Sequence, residues 1–165
     1  MSIICCMSKR AVFFLYFSIW FLVGGMLLYK GVEYLMESVA LQLIARDEQP
    51  LLGFFTHLLG SPYYALMQML FASLAIGYVK GFLALKRSTE RLIRVVQPYG
   101  EKIPLAAAFP WWYVAVMVVM MGLGMAMKFA PLYSDVRGMI DVAVGFALLS
   151  GSTFFLRAIA SLKPA

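Results

Sequence analysis

Four long apolar stretches, separated by shorter polar segments, dominate the pattern of hydrophobic and polar positions along the chain. They cover residues 11–29, 62–85, 109–127 and 137–156, and the first and third contain no charged side chain. A helix that rises about 1.5 Å per residue needs about 20 apolar residues to cross the hydrocarbon core of a bilayer. Because backbone amides in lipid must be hydrogen-bonded internally, each stretch is predicted to be helical. The sequence therefore predicts an all-α membrane protein whose four transmembrane helices form two hairpins.

The first hairpin carries a long insert, residues 30–61, whereas the second has a short connection. Apolar residues recur at helical spacing in the insert: Val32, Leu35, Met36, Val39, Ala40 and Leu43. This spacing predicts an amphipathic helix that either lies on the outer membrane surface or extends the first span. Residues 51–60 are apolar but too short to cross, which fits an interfacial segment, a re-entrant segment or an early start to the second span. Ser61 and Pro62 suit the cap and the first position of a helix.

The connection between the hairpins, residues 86–108, begins with a basic segment that continues the second helix as an extension. Arg87, Arg91 and Arg94 share one face of this extension, and apolar side chains share another. A basic amphipathic helix beside a span binds anionic lipid, at roughly 1 kcal/mol per basic residue near the surface. Lys86, Arg87, Arg91 and Arg94 are therefore the predicted lipid-binding or partner-binding residues. Docking of a protein and binding of a phosphate-bearing ligand are the alternatives.

The distribution of basic residues in the short loops predicts the orientation in the membrane. Nine lie on one side: Lys9, Arg10, Lys86, Arg87, Arg91, Arg94, Lys102, Arg157 and Lys163. Four lie on the other side, among acidic residues: Lys30, Arg46, Lys128 and Arg137. Since cytoplasmic loops carry the excess of Lys and Arg, both termini and residues 86–108 are predicted to be cytoplasmic.

Composition supports a membrane protein with a single domain of 165 residues. Hydrophobic residues make up 63% of the chain and charged residues 13%, against about 45–50% and about 25% in soluble domains. The net charge of +6 could suggest nucleic acid, but the basic residues flank apolar segments, which favours anionic lipid. No nucleic-acid partner is expected. The predicted partners are membrane lipids, a second copy of the chain or another membrane protein.

Pairs of small residues four positions apart mark the predicted contact faces of the helices. The pairs are Gly77 and Gly81, Gly122 and Ala126, and Ala147 and Gly151. Helices in lipid associate through close packing, so small residues are enriched where their backbones approach. These faces are expected either inside the bundle or at a dimer interface.

Charged residues within or beside the spans are the candidates for an ion or solute path. Asp141 lies about one turn inside the fourth span, where a carboxylate costs about 2.5–3.5 kcal/mol and needs a partner. Arg137 and Lys128 are the candidate partners, and an ion pair at the membrane interface is the simpler interpretation. Lys80 lies in the second span; its stem can carry the ammonium group to the cytoplasmic headgroups, or the side chain can line a vestibule that binds an anion.

Motifs for catalysis or metal binding are absent from the sequence. No zinc-protease, serine-hydrolase or nucleotide-binding pattern occurs, and the lone His57 supplies neither a zinc site nor a base with a nucleophile. Cys5 and Cys6 are adjacent and lack the spacing of a disulfide framework or metal site. The twelve methionines suit irregular packing gaps better than soft-metal handling. We therefore expect no enzymatic activity, no metal and no cofactor.

Two runs of residues stand out in the second half of the chain: Lys80, Gly81, Leu85, Lys86, Ser88, Arg91 and Arg94, and then Arg137, Gly138, Gly145, Leu148, Leu149, Gly151 and Ser152. In these runs the chain resembles a group of uncharacterised small inner-membrane proteins of bacteria. The resemblance implies a bacterial inner membrane and a four-helix arrangement. It brings no activity and no site residues with it.

Two functions fit these patterns. Asp141 and the small, hydroxyl-bearing face of the fourth span favour a small oligomeric transporter or channel for an ion or solute. The basic extension instead favours an accessory or scaffold protein that does not transport and that binds a membrane partner or anionic lipid. The surroundings of Asp141 distinguish them, because a transporter needs a hydrated path and an accessory protein does not.

Overall fold

The described part of the chain forms helices and one short β-ribbon. The computed structural model describes residues 6–45, 49–96, 102–104 and 132–161, together with eight separate positions between 111 and 129. The helices are α1 (Lys9–Ala40), followed by a π-helical turn (Leu41–Ala45), α2 (Pro50–Leu59), α3 (Pro62–Val96) and α4 (Ser134–Ser161). The strands are β1 (Cys6–Ser8) and β2 (Lys102–Pro104).

Three helices among the described residues are long and apolar enough to cross a membrane. The candidate spans are Lys9–Ile44, Pro62–Arg94 and Ser134–Ala160, and they contain the first, second and fourth predicted spans. The third predicted span, residues 109–127, lies largely outside the described residues. Its described positions, from Trp111 to Ala126, are helical.

The helices extend further than the apolar stretches alone predict. The insert after residue 30 continues α1 without a break as far as Ala40. Residues 51–59 fall in a separate helix, α2, and Gly60 caps its end in the left-handed conformation with φ 72°. The amide of Gly60 donates a hydrogen bond to the carbonyl of Thr56 at 2.8 Å, so the chain turns sharply before α3 begins at Pro62.

Helix α4 packs on α1 through glycines that bring the two backbones into contact. A methyl group added at Gly31 would lie 2.5 Å from the amide nitrogen of Val142, and one added at Gly24 would lie 2.9 Å from the carbonyl of Gly145. Gly31, the later of the two glycines in α1, thus contacts the earlier of the two positions in α4, so α1 and α4 are antiparallel. Packing this close is typical of helix pairs in membranes, where van der Waals contact drives association.

Helix α4 packs on α3 in the opposite sense. Gly77 lies against the carbonyl of Ala143, and Gly81 against the carbonyl of Ala147. Residue numbers rise together on both helices, so α3 and α4 are parallel, whereas α1 and α3 touch each other little. The start of α1 and the ends of α3 and α4 therefore lie at one end of the bundle.

Two clusters of buried hydrophobic residues fill the two ends of the bundle. The first cluster joins the start of α1 to the ends of α3 and α4 and contains Val12, Phe13, Tyr16, Trp20, Leu92, Leu148, Phe155 and Ala158. The second cluster joins α1 and α4 to α2 and the start of α3 and contains Leu35, Val39, Leu52, Ala65, Met69 and Val142. The second cluster therefore holds α2 against the bundle.

The β-ribbon is a feature that the sequence patterns did not predict. Strands β1 and β2 pair antiparallel, with Cys6 opposite Pro104 and Ser8 opposite Lys102. Ser8 also caps α1, because its side chain accepts a hydrogen bond from the amide of Ala11 at 3.2 Å. The ribbon thus ties the segment before α1 to the segment after α3.

Candidate functional site

One end of the bundle is strongly basic, and we call it the basic end. The antiparallel and parallel helix pairs, together with the β-ribbon, collect cations there from four elements of the fold. They are Lys9, Arg10, Lys86, Arg87, Arg91, Arg94, Lys102 and Arg157. Within the described part of the chain, Glu90 is the only acidic residue at this end. The surface therefore has a net positive charge that favours an anionic partner.

The extension of α3 at this end is packed against the bundle on one face. Thr89 and Leu92 are buried, and Leu92 belongs to the same cluster as Val12 and Phe13 of α1. These contacts hold the last three turns of α3 against the other helices. The basic side chains of the extension are exposed: Lys86, Arg87, Arg91 and Arg94.

An aromatic pair joins α3 and α4 just below the basic residues. The rings of Phe82 and Phe154 meet edge to face with centroids 5.3 Å apart. The ammonium of Lys86 lies 5.9 Å from the Phe82 ring, and the guanidinium of Arg157 lies 5.9 Å from the Phe154 ring. Each helix thus places one cation over its own member of the pair, which is a favourable arrangement for a cation at a membrane interface.

Asp141 and Arg137, two of the four candidates for an ion or solute path, lie toward the opposite end of the bundle, whereas Lys80 is exposed near the middle of α3. Asp141 is half-buried on α4. Arg137, its proposed partner, places its guanidinium 4.4 Å from the centroid of the Tyr34 ring on α1. Lys128 lies outside the described residues. Arg137 therefore contributes to the contact between α1 and α4 through Tyr34.

The hydroxyl groups on α4 donate hydrogen bonds within their own helix. Ser150 donates to the carbonyl of Ala147 at 3.2 Å, Ser152 to that of Leu149 at 2.7 Å, and Thr153 to that of Ser150 at 2.7 Å. Side chains of this kind commonly bond to the preceding turn of a helix. The hydroxyl protons of these three side chains are therefore used within α4.

Asp135 is a buried acidic residue whose role the sequence patterns missed. Its side chain is fully buried, and its Oδ2 accepts hydrogen bonds from the amides of Leu51 at 2.8 Å and Leu52 at 3.0 Å. Its Oδ1 accepts one from the amide of Val136 at 2.6 Å. The carboxylate thus serves two helix starts, those of α2 and α4, where the helix dipoles favour a negative charge.

A sequence signal for this contact exists at the start of α2. Gln49 occupies the cap position and provides no side-chain hydrogen bond to the helix. The first amides of a helix need acceptors from outside the helix. A start at Gln49 and Pro50 with no Ser, Thr, Asp or Asn beside it therefore indicates that a remote acceptor completes the cap.

Other buried oxygen atoms lie near α2. Gln42 Oε1, Gln49 Oε1 and Thr56 Oγ1 accept no hydrogen bond from the described residues. Gln49 and Thr56 are seven positions apart and so share the buried face of α2. His57, on the same helix, is exposed.

The predicted packing residues occupy different environments. Gly77, Gly81 and Ala147 lie in the contact between α3 and α4, and Gly151 is buried on α4. Gly122 and Ala126 are exposed, and a methyl group added at Gly122 would meet nothing within 4 Å. Among the described residues, no three His, Cys, Asp or Glu side chains are grouped so that they could hold a metal.

The three long apolar helices and their glycine contacts indicate an α-helical membrane protein. Comparison with known proteins adds no relative to this description, because no protein family, curated protein or solved structure matches the chain.

Proposed function

We propose that the protein is an accessory protein of the bacterial inner membrane, which does not transport and which binds an anionic partner through its basic end. The partner is anionic lipid or an acidic segment of another membrane protein. The observation that carries this proposal is the α3 extension, where buried Thr89 and Leu92 fix the helix while Arg87 and Arg94 remain exposed. An outward-facing row of cations on a helix that is packed against the bundle is suited to binding an anionic partner.

The basic end faces the cytoplasm in this proposal. Eight described cations lie there, whereas Lys30 and Arg137 lie toward the opposite end with Glu33, Glu37, Asp135 and Asp141. This asymmetry is the one that the positive-inside rule associates with the cytoplasmic side. A reporter enzyme that works only in the cytoplasm should therefore be active when it is fused after Ala165. Activity of a periplasm-dependent reporter at that position would contradict the orientation.

The packing of α4 supports an accessory role over a path along this helix. Backbone contact at Gly24 and Gly31 leaves no room for a side chain at these two positions between α1 and α4. The contacts of Gly77 and Gly81 close α3 onto α4 in the same way. Both faces of α4 are thus occupied by other helices of the same chain.

Replacement of the three arginines of the α3 extension tests the proposal. The variant with Arg87→Gln, Arg91→Gln and Arg94→Gln should insert normally but lose retention on beads that carry phosphatidylglycerol or an acidic peptide. The matched control replaces the same three residues by Lys, which keeps the charge and should keep binding that falls as salt rises. Equal retention of the Gln variant and the wild type would refute the accessory role.

Transport by an oligomer is the second candidate, and the half-buried Asp141 on a candidate span favours it. A carboxylate at such a position is a recurrent feature of ion and proton paths. Liposomes that contain the purified protein should then show flux of an ion or small solute that Asp141→Asn reduces. Absence of flux for both proteins across a broad panel would remove this candidate.

A further inference from the structure

A row of cations runs along one face of α3 and continues below the extension. The row begins at Lys80. It continues with Arg87, Arg91 and Arg94, which come seven, eleven and fourteen positions after Lys80. At 3.6 residues per turn these intervals place all four within a sector of roughly 60°. All four side chains are exposed. We call this row the α3 basic stripe.

Lys80 lies deeper than the rest of the stripe. It is about 10 Å from Arg87 along the helix axis and lies near the middle of the candidate span Pro62–Arg94, whereas the three arginines lie toward the end of that span. Ile76 and Leu83, one turn before and one turn after Lys80, are 52% and 57% exposed. The ammonium group therefore leaves the helix between apolar side chains that face outward.

No acidic side chain among the described residues is placed to pair with Lys80. Glu90 is the only described acid at the basic end. It stands ten positions further along α3, about 15 Å higher and roughly 80° around the helix. An ammonium at this depth requires an anionic or polar partner, because charge in hydrocarbon is costly. That partner must come from outside the described part of the chain.

We propose that the α3 basic stripe binds one anionic phospholipid, whose phosphate lies between Lys80 and Arg87 and whose acyl chains lie along Ile76 and Leu83. This inference rests on the proposed function and names its ligand. Two long cationic side chains about 10 Å apart on one face can converge on a single phosphate from above and below. Basic sites on the cytoplasmic side of transmembrane helices bind lipid headgroups in this way.

The position of Lys80 favours a lipid over a soluble ligand or a protein. Free phosphate would leave water to reach a cation flanked by exposed Ile76 and Leu83. A lipid already places its phosphate at the interface and its tails against such side chains. An acidic protein segment would engage Arg91 and Arg94 at the exposed end of the stripe and would have no need of Lys80.

Retention of lipid by the purified protein tests the site. The full-length protein is reconstituted in nanodiscs of phosphatidylcholine and phosphatidylglycerol, transferred to mild detergent and examined by native mass spectrometry. The wild type should retain phosphatidylglycerol, and Lys80→Gln and Arg87→Gln should each lower that retention several-fold. The double variant should be little worse than either single one, because both side chains hold one phosphate. Lys80→Arg should restore retention.

Lys30→Gln is the control, since Lys30 is an exposed cation at the opposite end of the bundle, where its ammonium pairs with Glu33 at 2.8 Å. This variant should retain lipid as the wild type does. An equal loss in Lys30→Gln would mean general charge attraction and would overturn the site. Complete displacement of the lipid by inorganic phosphate would also overturn it.

The outcomes separate this inference from the proposed function. If Lys80→Gln retains lipid normally while replacement of Arg87, Arg91 and Arg94 abolishes capture, the accessory role stands and the lipid site is wrong. If the wild type retains no phosphatidylglycerol but captures an acidic peptide, the partner is a protein and the lipid site is again wrong. If Lys80→Gln and the variant with Arg87, Arg91 and Arg94 replaced by Gln both lose retention, the two proposals are supported together.

Discussion

The Oδ2 atom of Asp135 accepts a hydrogen bond from the amide of Leu51 at 2.8 Å, although 84 positions separate the two residues. The carboxylate is fully buried and also accepts from Leu52. It therefore replaces a local cap for α2 and fastens this helix to the first turn of α4. This side chain adds a polar attachment of α2 to the bundle beside the apolar contacts of Leu52.

Replacement of Asp135 by Ala should loosen α2 while the three long helices persist. The amides of Leu51 and Leu52 would lose their acceptor, and loss of a helix cap or of a buried acceptor costs about 1–3 kcal/mol. We expect faster hydrogen exchange over residues 50–59 and a lower unfolding temperature in detergent. Glu37→Ala, which removes an exposed acid of α1, is the control and should leave both unchanged. Unaltered exchange in Asp135→Ala would refute the cap.

The sequence could predict which segments form the long helices but could not predict this contact. Apolar length alone identifies α1, α3 and α4, because lipid selects for it independently of any partner. The Asp135 contact depends instead on how α2 meets α4: the start of α2 indicates that a remote acceptor is needed, but no local pattern identifies Asp135 as that acceptor. The acid stands in a polar connection, where an exposed interfacial residue is the ordinary expectation.

The glycine contacts between helices were likewise predictable from the sequence only in part. A spacing of four singled out Gly77 and Gly81, which lie against α4. The contact between α1 and α4 uses glycines seven apart, Gly24 and Gly31, which a search for the four-residue spacing does not find. A spacing of seven returns to the same helix face after two turns. The periodicity of small residues thus identifies faces only when both intervals are considered.

Gly31→Ala should separate α1 from α4. The added methyl group would lie 2.5 Å from the amide nitrogen of Val142 and 2.9 Å from the carbonyl of Gly138. Both are backbone atoms that cannot move alone, so overpacking of roughly 1–3 kcal/mol is expected. The unfolding temperature in detergent, read from the loss of helical circular dichroism, should fall.

Gly25→Ala is the matched control for this prediction. Gly25 lies on the same helix, and a methyl group there would meet nothing within 4 Å. Alanine is favoured over glycine inside a helix by about 0.5–1 kcal/mol, so this variant should be neutral or slightly more stable. Equal destabilisation of the two variants would mean that the contact of Gly31 with α4 is not the cause.

Phe155→Ala should destabilise the basic end of the bundle. Phe155 is fully buried and stacks on Tyr16 with ring centroids 5.7 Å apart. Truncation leaves a cavity between α1 and α4, at a cost of about 3–5 kcal/mol in well-packed cores. Phe14→Ala removes a ring of the same size that is 58% exposed and should cost little. If the two variants unfold at the same temperature, the aromatic cluster does not stabilise this end.

Gly60→Ala should disturb the turn between α2 and α3. Gly60 has φ 72°, a left-handed conformation that costs a residue with a Cβ about 1–2 kcal/mol. A methyl group at this position meets no neighbour within 4 Å, so backbone strain is the only expected cost. Gly60→Asn should therefore be better tolerated, because asparagine adopts this conformation more readily than alanine.

Gly53→Ala serves as the control for the turn. Gly53 is a helical residue of α2 that also has open space around its Cα, so alanine there should stabilise the helix. We expect protease cleavage near residues 59–62 to accelerate in Gly60→Ala alone, with Gly60→Asn between it and the wild type. The test is the order of the cleavage rates, with Gly60→Ala fastest and the wild type slowest. Cleavage that is as fast in Gly60→Asn as in Gly60→Ala would show that loss of glycine flexibility, and not the sign of φ, governs the turn.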